Sequence, residues 1–225
     1  LRRIGERWQL LDATGAVIDE SEVVVLANAG DALRLLGQPA WPVEKVRGQV
    51  SWWPPQIRMK DFFTPPRIPV AGTGYLLPAT GSGIVFGATS QRGDNDPPVR
   101  ASDHALNLAQ LARLTGTDLE GSIEDLQGRT GWRWVSDDRL PLIGAAPQTV
   151  PPSLRMDQAR LVPRIPGLFM FTALGSRGIA WSALGAQVLA SIISGAPSPL
   201  EASLLDAVDP ARFIVREARR RTTGG

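Results

Sequence analysis

The sequence predicts a mixed α/β (α+β) protein in which an antiparallel-sheet domain interrupts an α/β domain along the chain. Three observations predict it. Val23-Val-Val-Leu-Ala-Asn-Ala-Gly30 is a continuous apolar run ending in small residues, the pattern of a strand buried on both faces in a parallel sheet. Gly167-Leu-Phe-Met-Phe-Thr-Ala-Leu-Gly-Ser-Arg-Gly-Ile-Ala-Trp181 reads as a second buried strand, a glycine-bracketed turn and the start of a helix. Between them, from Pro39 to about Pro98, prolines and glycines separate short apolar runs, as in antiparallel strands. The expected boundaries are 1–38 and 136–200 for the α/β domain, 39–135 for the inserted domain, and 201–225 for a basic C-terminal tail.

Taken in order, Trp8-Gln-Leu-Leu-Asp-Ala13 and Val17-Ile-Asp-Glu20 flank Thr14-Gly15 and predict a hairpin. Asp31 to Gly37 predicts a short helix capped by Asp31 and closed by Gly37. In the middle region, Gly48-Gln-Val-Ser-Trp-Trp53, Gly74-Tyr-Leu-Leu-Pro78 and Gly83-Ile-Val-Phe-Gly-Ala-Thr89 predict strands. Ser102 caps a helix to about Thr115 with Ala105, Leu108, Ala109 and Ala112 on its apolar face, which leaves His104 in an exposed first turn. Residues 123–135 predict a strand, Asp137-Asp138 a structural turn, 140–144 a return to the first domain, and 148–164 a loop. A helix from Gly178 carries Trp181, Leu184, Val188, Leu189, Ile192 and Ile193 at helical spacing, and Gly195 and Pro197 stop it.

Composition narrows the function classes. The 225 residues are 43% hydrophobic and 20% charged, as in an ordinary globular protein. With no cysteine and one histidine, disulfides, thiolate metal sites, histidine clusters and a Ser-His-Asp hydrolase are all disfavoured, so no metal is expected. The net charge of +2 and the pI near 9.6 agree because almost nothing titrates between neutrality and pH 9. The local bias is stronger: Arg212, Arg216, Arg219, Arg220 and Arg221 face only Glu217, a run that is either a solvated tail or a phosphate contact. No apolar run approaches the ~20 residues of a membrane span, and no signal peptide is visible, so a cytoplasmic protein is expected. The start at Leu1, close to a strand, reads as a piece of a longer chain.

The turn at 175–178 carries the ligand reading. Free N–H groups at a helix start, together with the helix dipole, stabilise negative charge. Gly175 and Gly178 keep side chains clear of the backbone, and the ending Ala27-Asn-Ala-Gly30 allows similar approach at a sheet edge. A dinucleotide or a flavin is the candidate ligand.

Several segments, in order, resemble the FAD-dependent amino-acid and amine oxidases of the D-amino acid oxidase type, which include glycine and sarcosine oxidases. They are residues 23–30, Val46-Arg-Gly-Gln-Val50, Tyr75-Leu-Leu-Pro78 with Phe86-Gly-Ala-Thr89, residues 131–144, and Leu174-Gly-Ser-Arg-Gly-Ile179. Gly72–Ala79, Gly87–Arg92, Ser102–Leu108, Phe169–Gly178 and Asp209–Arg216 are similar, more narrowly, to the oxidoreductase modules of bifunctional tRNA-modifying enzymes. The resemblance implies a partial FAD-binding Rossmann-like domain with an inserted antiparallel-sheet substrate domain. It also implies oxidation, by non-covalent FAD, of a carboxymethylaminomethyl group on a wobble uridine of tRNA, leaving the aminomethyl form. The Gly-x-Gly-x-x-Gly turn of that family is absent, as is a methyltransferase module, so upstream FAD-binding and methyltransferase portions of a parent chain are expected partners alongside tRNA.

The resemblance assigns substrate binding to Tyr75, Arg133 and Arg177, whose guanidinium groups match a carboxylate bidentately. Cofactor contacts fall on Ala27, Asn28, Ala29, Gly30, Gly48, Leu174, Gly175, Ser176, Arg177, Gly178 and Ile179. No side-chain acid or base is expected, since hydride transfer to a flavin depends mainly on orientation and on stabilising charge on the ring. The 175–178 loop is expected to face that ring, with the middle sheet roofing over it. Arg58, Arg67, Arg92 and Arg100 are further candidates for phosphate contacts, and one of Trp52 and Trp53 for base stacking, since adjacent strand residues point to opposite faces. Two alternatives stand beside this reading: an oxidase of free glycine or sarcosine, and a non-catalytic tRNA-binding module.

Overall fold

A computed structural model of the protein describes residues 1–37, 40–56, 64–117, 123–149 and 158–223. The chain divides into two compact units, Leu1–Glu44 with Trp134–Gly225, and Lys45–Arg133. The sequence reading had placed the interrupting domain at 39–135.

The first unit opens with an antiparallel sheet of β1 (Arg2–Ile4), β2 (Arg7–Leu11) and β3 (Val17–Ser21). The β2–β3 turn is held by Asp12, whose Oδ1 accepts from the Thr14 and Ala16 amides at 2.8 and 2.9 Å, and Gly15 supplies the positive φ of 88°. Strand β4 (Val24–Leu26) follows, then helix α1 (Asp31–Leu35). The cap position of α1 is Gly30, not Asp31; the Asp31 carboxylate lies inside the first turn and pairs with Arg34 at 2.9 and 2.7 Å.

The second unit contains β5 (from Val43–Trp53), β6 (Val70–Ala71), β7 (Tyr75–Leu76), β8 (Ile84–Gly87), β9 (Gln91–Arg92), helix α2 (Ala101–Thr115) and β10 (Gln127–Ser136), the outer ends of β5 and β10 lying in the first unit. The strands form one sheet in the order β10-β5-β8-β7-β6, with β9 also paired to β5. Its core is Trp53, Leu76, Ile84, Phe86, Leu111 and Leu126, with the Trp53 and Phe86 ring centroids 4.6 Å apart. Helix α2 does not bury the face its apolar spacing predicts. Ala105 and Ala109 are exposed, and the buried residues are Asp103, His104, Asn107 and Leu111. His104 is therefore a core residue, not a surface one: its Nδ1 lies 2.8 Å from the Ser51 hydroxyl. Burial pushes its imidazole below the usual histidine range, partly offset by the Asp103 charge, so it is neutral at pH 7.

The chain then returns to the first unit as β11 (Leu142–Pro147), β12 (Arg164–Thr172), helix α3 (Gly178–Ser194), α4 (Ala202–Val208) and α5 (Arg212–Thr223). A sheet of order β11-β12-β4 pairs β12 parallel to β4, Leu168 opposite Val24 and Met170 opposite Leu26. Leu26 is buried, but Val23 and Val25 are each 39% exposed, so β4 buries one face rather than two. Trp8, Leu142, Leu168, Met170 and Phe213 share a core, and the Trp8 indole donates to the Pro166 carbonyl at 3.0 Å. Gly195, at φ 72°, ends α3 as its sequence predicts.

The C-terminal residues read as a tail are helical from 202 to 208 and from 212 to 223. Arg212 is buried and donates to Asp138 at 2.8 and 3.1 Å, and Arg216 donates to the same carboxylate at 2.5 Å, so neither is spare for phosphate. Ser136 Oγ and the Leu140 amide complete the Asp138 shell. Burial alone would raise the Asp138 pKa, but bonds from Arg212 and Ser136 outweigh it and hold the carboxyl well below the usual carboxylate range. A carboxylate with a depressed folded pKa stabilises the fold above its unfolded pKa of about 3.9 and loses that contribution as pH falls towards the folded value. Asp138→Asn should therefore cost about 3 kcal/mol near neutrality. Urea midpoints of the two proteins should converge as the pH drops from roughly 5 to 2.

Candidate functional site

Two groups of residues are built by the fold, one in each unit. In the first unit the parallel pairing of β4 and β12 decides the arrangement. Parallel neighbours end at the same sheet edge, so the turn after β4, Ala27-Asn28-Ala29-Gly30, and the turn after β12, Leu174 to Ile179, lie at one edge. A hydrogen bond joins them through the strand end: Thr172 Oγ1 donates to the Ala29 carbonyl at 2.7 Å. Ala29 takes a positive φ of 56° and Ala173 one of 55°, both uncommon for residues with a side chain.

The glycines at this edge have different reasons for being glycine. A Cβ on Gly30 would fall 1.8 Å from the Trp134 indole, so the chain's own packing demands it. Gly175 adopts φ 58° in the 3₁₀ turn Gly175–Arg177, with room for a Cβ 3.8 Å from Val135. Gly178 has ordinary helical φ, −56°, and a Cβ there would make only a normal contact with Leu174 at 3.6 Å. Nothing in the described structure requires glycine at 178. Ser176 and Arg177 are exposed and Ile179 is 96% exposed, at the start of a 17-residue helix with no side-chain cap and no acid in its first turn. Free amide donors and a positive helix end suit the electron-rich edge of a flavin ring. The residues present fit the ring part of FAD.

In the second unit the site is set by alternation along β5. Arg47, Gln49, Ser51 and Trp53 point to one side and are all buried. Arg47 donates to Asp103 at 2.5 Å, to Gln91 at 2.7 Å, and to the carbonyls of Asp96 and Pro98 at 2.7 Å each. Gln49 exchanges bonds with the Arg100 backbone, and Asn107 donates to the Gln49 carbonyl and to Ser51 Oγ at 2.9 Å each. Arg100 is engaged by Asp94 and Asp96 rather than available to phosphate. Arg67 and Arg92 are exposed; Arg58 lies outside the described residues.

The opposite side of the sheet holds a cavity of about 260 Å³ whose lining includes Gly48, Val50, Tyr75, Arg129, Gly131 and Arg133. Gly48 is glycine because Arg133 crosses over it: a Cβ would sit 2.7 Å from Arg133 Nη2 and 3.0 Å from the Thr89 carbonyl. That same Nη2 donates to the Thr89 carbonyl at 2.9 Å, which fixes the guanidinium and leaves its other donors towards the cavity. Gly48, which the family likeness assigned to the cofactor, thus has Arg133 and Thr89 as its neighbours. Burial pushes the Tyr75 phenol up, partly offset by the Arg133 charge, so at neutral pH Tyr75 is a protonated donor beside a fixed cation. The fold thus brings Gly48, Tyr75 and Arg133 together in one unit and places Arg177 in the other. Sequence reasoning missed Arg129, whose signal was its spacing of four from Arg133 with glycine between.

Among the described residues no group of three or more His, Cys, Asp or Glu could hold a metal ion, and no helix is long and apolar enough to cross a membrane. An α/β edge with open amide donors, together with a cationic sheet cavity, has the features a flavoprotein oxidoreductase would use. Residues 1–192 match the family of FAD dependent oxidoreductases, and the chain belongs to it. It is 52% identical over 219 residues to the tRNA 5-methylaminomethyl-2-thiouridine biosynthesis bifunctional protein MnmC of Methylibium petroleiphilum, covering 92% of this chain and 33% of that protein. Against the protein of the same name from Burkholderia cenocepacia it is 44% identical, covering 100% and 35%. The chain thus spans about a third of the length of the curated relatives it matches. Among solved structures it resembles iminodiacetate oxidase from Chelativorans sp. (TM-score 0.62, 21% identity, 89% of this chain and 48% of that one). Glycine oxidase from Bacillus cereus is similar too (TM-score 0.59, 22%, 86% and 46%), and both likenesses concern the fold.

The two helix-edge glycines separate folding from ligand binding. Gly30→Ala should destabilise the protein by about 3 kcal/mol, because the indole of Trp134 has nowhere to move without repacking. Gly178→Ala should leave thermal stability unchanged or raise it by up to about 0.5 kcal/mol, since alanine favours helix. A fall in flavin retention by full-length Gly178→Ala protein, read from visible absorbance at an unchanged melting temperature, would then report crowding of the ring.

Proposed function

We propose that this chain supplies the substrate-binding and flavin-ring-binding parts of an FAD-dependent oxidoreductase that acts on modified tRNA. The reaction is removal of the carboxymethyl group from 5-carboxymethylaminomethyl-(2-thio)uridine at the wobble position, leaving the aminomethyl form. One observation carries the reading: a guanidinium pinned over Gly48 by Thr89 and flanked by a neutral tyrosine, in a cavity whose lining holds no acid. That donor set suits a carboxylate on an otherwise neutral amine. The names of the relatives direct the choice of amine to a tRNA nucleoside.

Arg133 takes the substrate carboxylate through the donors Thr89 leaves open, and Tyr75 adds an O–H donor to it. With the carboxylate anchored, the methylene between it and the amine has a fixed orientation, and the amine must be neutral for its lone pair to assist C–H cleavage. FAD, when bound, would accept the hydride from that methylene, and with it both electrons of the oxidation. The C–H bond breaks, a C=N bond forms between the former methylene carbon and nitrogen, and water adds to that imine. Cleavage of the C–N bond then gives the aminomethyl nucleoside and glyoxylate. Ala27–Gly30 and Leu174–Ile179 would hold the flavin, and the amides at the start of α3 would favour negative charge near it. Within this chain the flavin is held non-covalently: there is no cysteine, and the one histidine, His104, is buried and engaged by Ser51. The pyrophosphate and adenosine contacts and a methyltransferase activity are assigned to other portions of the parent protein.

The test uses the full-length protein and tRNA carrying the carboxymethylaminomethyl group, with nucleosides followed by mass spectrometry. Arg133→Ala should lower kcat/KM by roughly a hundredfold, about 3 kcal/mol for losing charge-assisted bonds to a carboxylate. Arg133→Lys should recover only part of this, since an ammonium lacks the planar fork. Equal turnover by wild type and Arg133→Ala would remove Arg133 from the site. Peroxide formation with free glycine or sarcosine, with modified tRNA untouched, would replace the reading by a small-amine oxidase.

A further inference from the structure

The open face of the central sheet carries more positive charge than one carboxylate needs. Arg129, Gly131 and Arg133 are alternate residues of β10 and so share a face; the two arginines stand about 13 Å apart along the strand. Both line the same cavity, and a Cβ on Gly131 would meet nothing within 4 Å, so the floor between them is clear. Arg129 is exposed, and its side chain makes no hydrogen bond or ion pair with a described residue. This is not for want of acids in the unit: Asp94, Asp96 and Asp103 all pair with arginines, but with Arg100 and Arg47.

An aromatic surface lies on the same face. Trp53 is core at 1% exposure, whereas Trp52 points the other way, half-buried, with its indole N–H donating to Gln127 at 3.1 Å. Gln127 is on the Arg129 face of β10, two residues away from Arg129. The sequence had placed one of the two tryptophans in the core and left the other for a base; the structure decides that the available one is Trp52.

We propose that Arg129 and Trp52 form a nucleotide subsite beside Arg133, with Arg129 contacting a backbone phosphate and Trp52 stacking on a base next to the modified uridine. The proposal rests on the functional reading above and deepens it. A free amino acid offers one carboxylate and no base, so it uses neither residue. A single-stranded polynucleotide offers both, one phosphate per nucleotide and a flat face per base. A small amine with two carboxylates would use both arginines and leave Trp52 idle, and this is the competing occupant.

Equilibrium binding of hypomodified tRNA to full-length protein, measured across a salt series, tests it, with turnover of the same tRNA and of the isolated modified nucleoside alongside. Arg129→Gln should weaken tRNA binding about tenfold and reduce the slope of log K against log salt by about 0.7, the value of one single-strand phosphate contact. Trp52→Leu should weaken binding by about tenfold with no change of slope, and Trp52→Phe should recover most of it. In kcat/KM, both Arg129→Gln and Trp52→Leu should penalise tRNA more than the nucleoside. Wild-type slope and affinity in Arg129→Gln, or equal penalties on tRNA and nucleoside, would overturn the subsite while leaving the reaction itself standing. Turnover of iminodiacetate that falls with Arg129→Gln, with no turnover of modified tRNA, would overturn both.

Discussion

Arg47 has no exposed surface, and the geometry of the central sheet depends on it. A guanidinium taken from water costs several kcal/mol unless its donors are met. Here Asp103 neutralises it, and Gln91, the carbonyls of Asp96 and Pro98, and the Thr130 hydroxyl take the remaining donors. Such a network contributes little net stability compared with an apolar core of equal size, but its directional bonds permit few alternatives. It ties three separated stretches of chain to β5: the loop at 96–98, Gln91 on β9, and helix α2 through Asp103. Because strand residues alternate, burying Arg47, Gln49, Ser51 and Trp53 commits Gly48, Val50 and Trp52 to the other face. A one-residue slip would put Gly48 in the polar core and Arg47 in the cavity, so the network also sets the place where Arg133 crosses.

That dependence explains which parts of the molecule were legible in the sequence. The parallel strand β4 (Val24–Leu26), the β12–α3 unit and the antiparallel middle sheet announce themselves through runs of apolar residues and flanking glycine and proline, which are local signals. Helix α2 did not: its end at Thr115 was read correctly, but its cap is Arg100 rather than Ser102, two residues earlier than the sequence suggests. Beside Leu111, its buried face holds Asp103, His104 and Asn107, whose partners Arg47, Ser51 and Gln49 lie more than fifty residues earlier. Apolar periodicity cannot see a face that is buried because it is hydrogen-bonded, so Ala105 and Ala109 looked inward and His104 looked exposed. The C-terminal arginines misled for a similar reason: the carboxylate that buries Arg212 is Asp138, at a turn that local sequence identifies only as a turn.

Glycines show the same division between local and distant causes. Gly15 and Gly195 follow from turn and cap conformations and were readable in place. Gly30 and Gly48 were read as openings for a ligand, yet each is filled from within the protein, by the Trp134 indole and the Arg133 guanidinium respectively. Gly178 is the converse case. Neither its dihedral angles nor its neighbours in the described structure ask for glycine, so a constraint from outside those residues is the remaining physical reason for it to lack a side chain. Under the proposed function that constraint would be a planar ring held against the start of α3.

The guanidinium groups of the second unit then sort by what already satisfies them. Arg47 is saturated by a carboxylate and backbone carbonyls, and Arg100 by two carboxylates; neither has capacity to recognise anything else. Arg133 is half-committed, held by one neutral carbonyl that orients it without cancelling its charge. This is the state a binding group requires, since a guanidinium already paired to a carboxylate must lose that partner before it takes a ligand, and an untethered one must lose side-chain freedom. Arg129 is uncommitted and will give up more entropy on binding, which suits a contact that selects among substrates better than one that must place a reacting carbon. The gradation from Arg47 through Arg133 to Arg129 runs from the structural face of the sheet to its open face. Under the proposed roles, rigidity would fall to the carboxylate anchor and adaptability to the contact with the longer polymer.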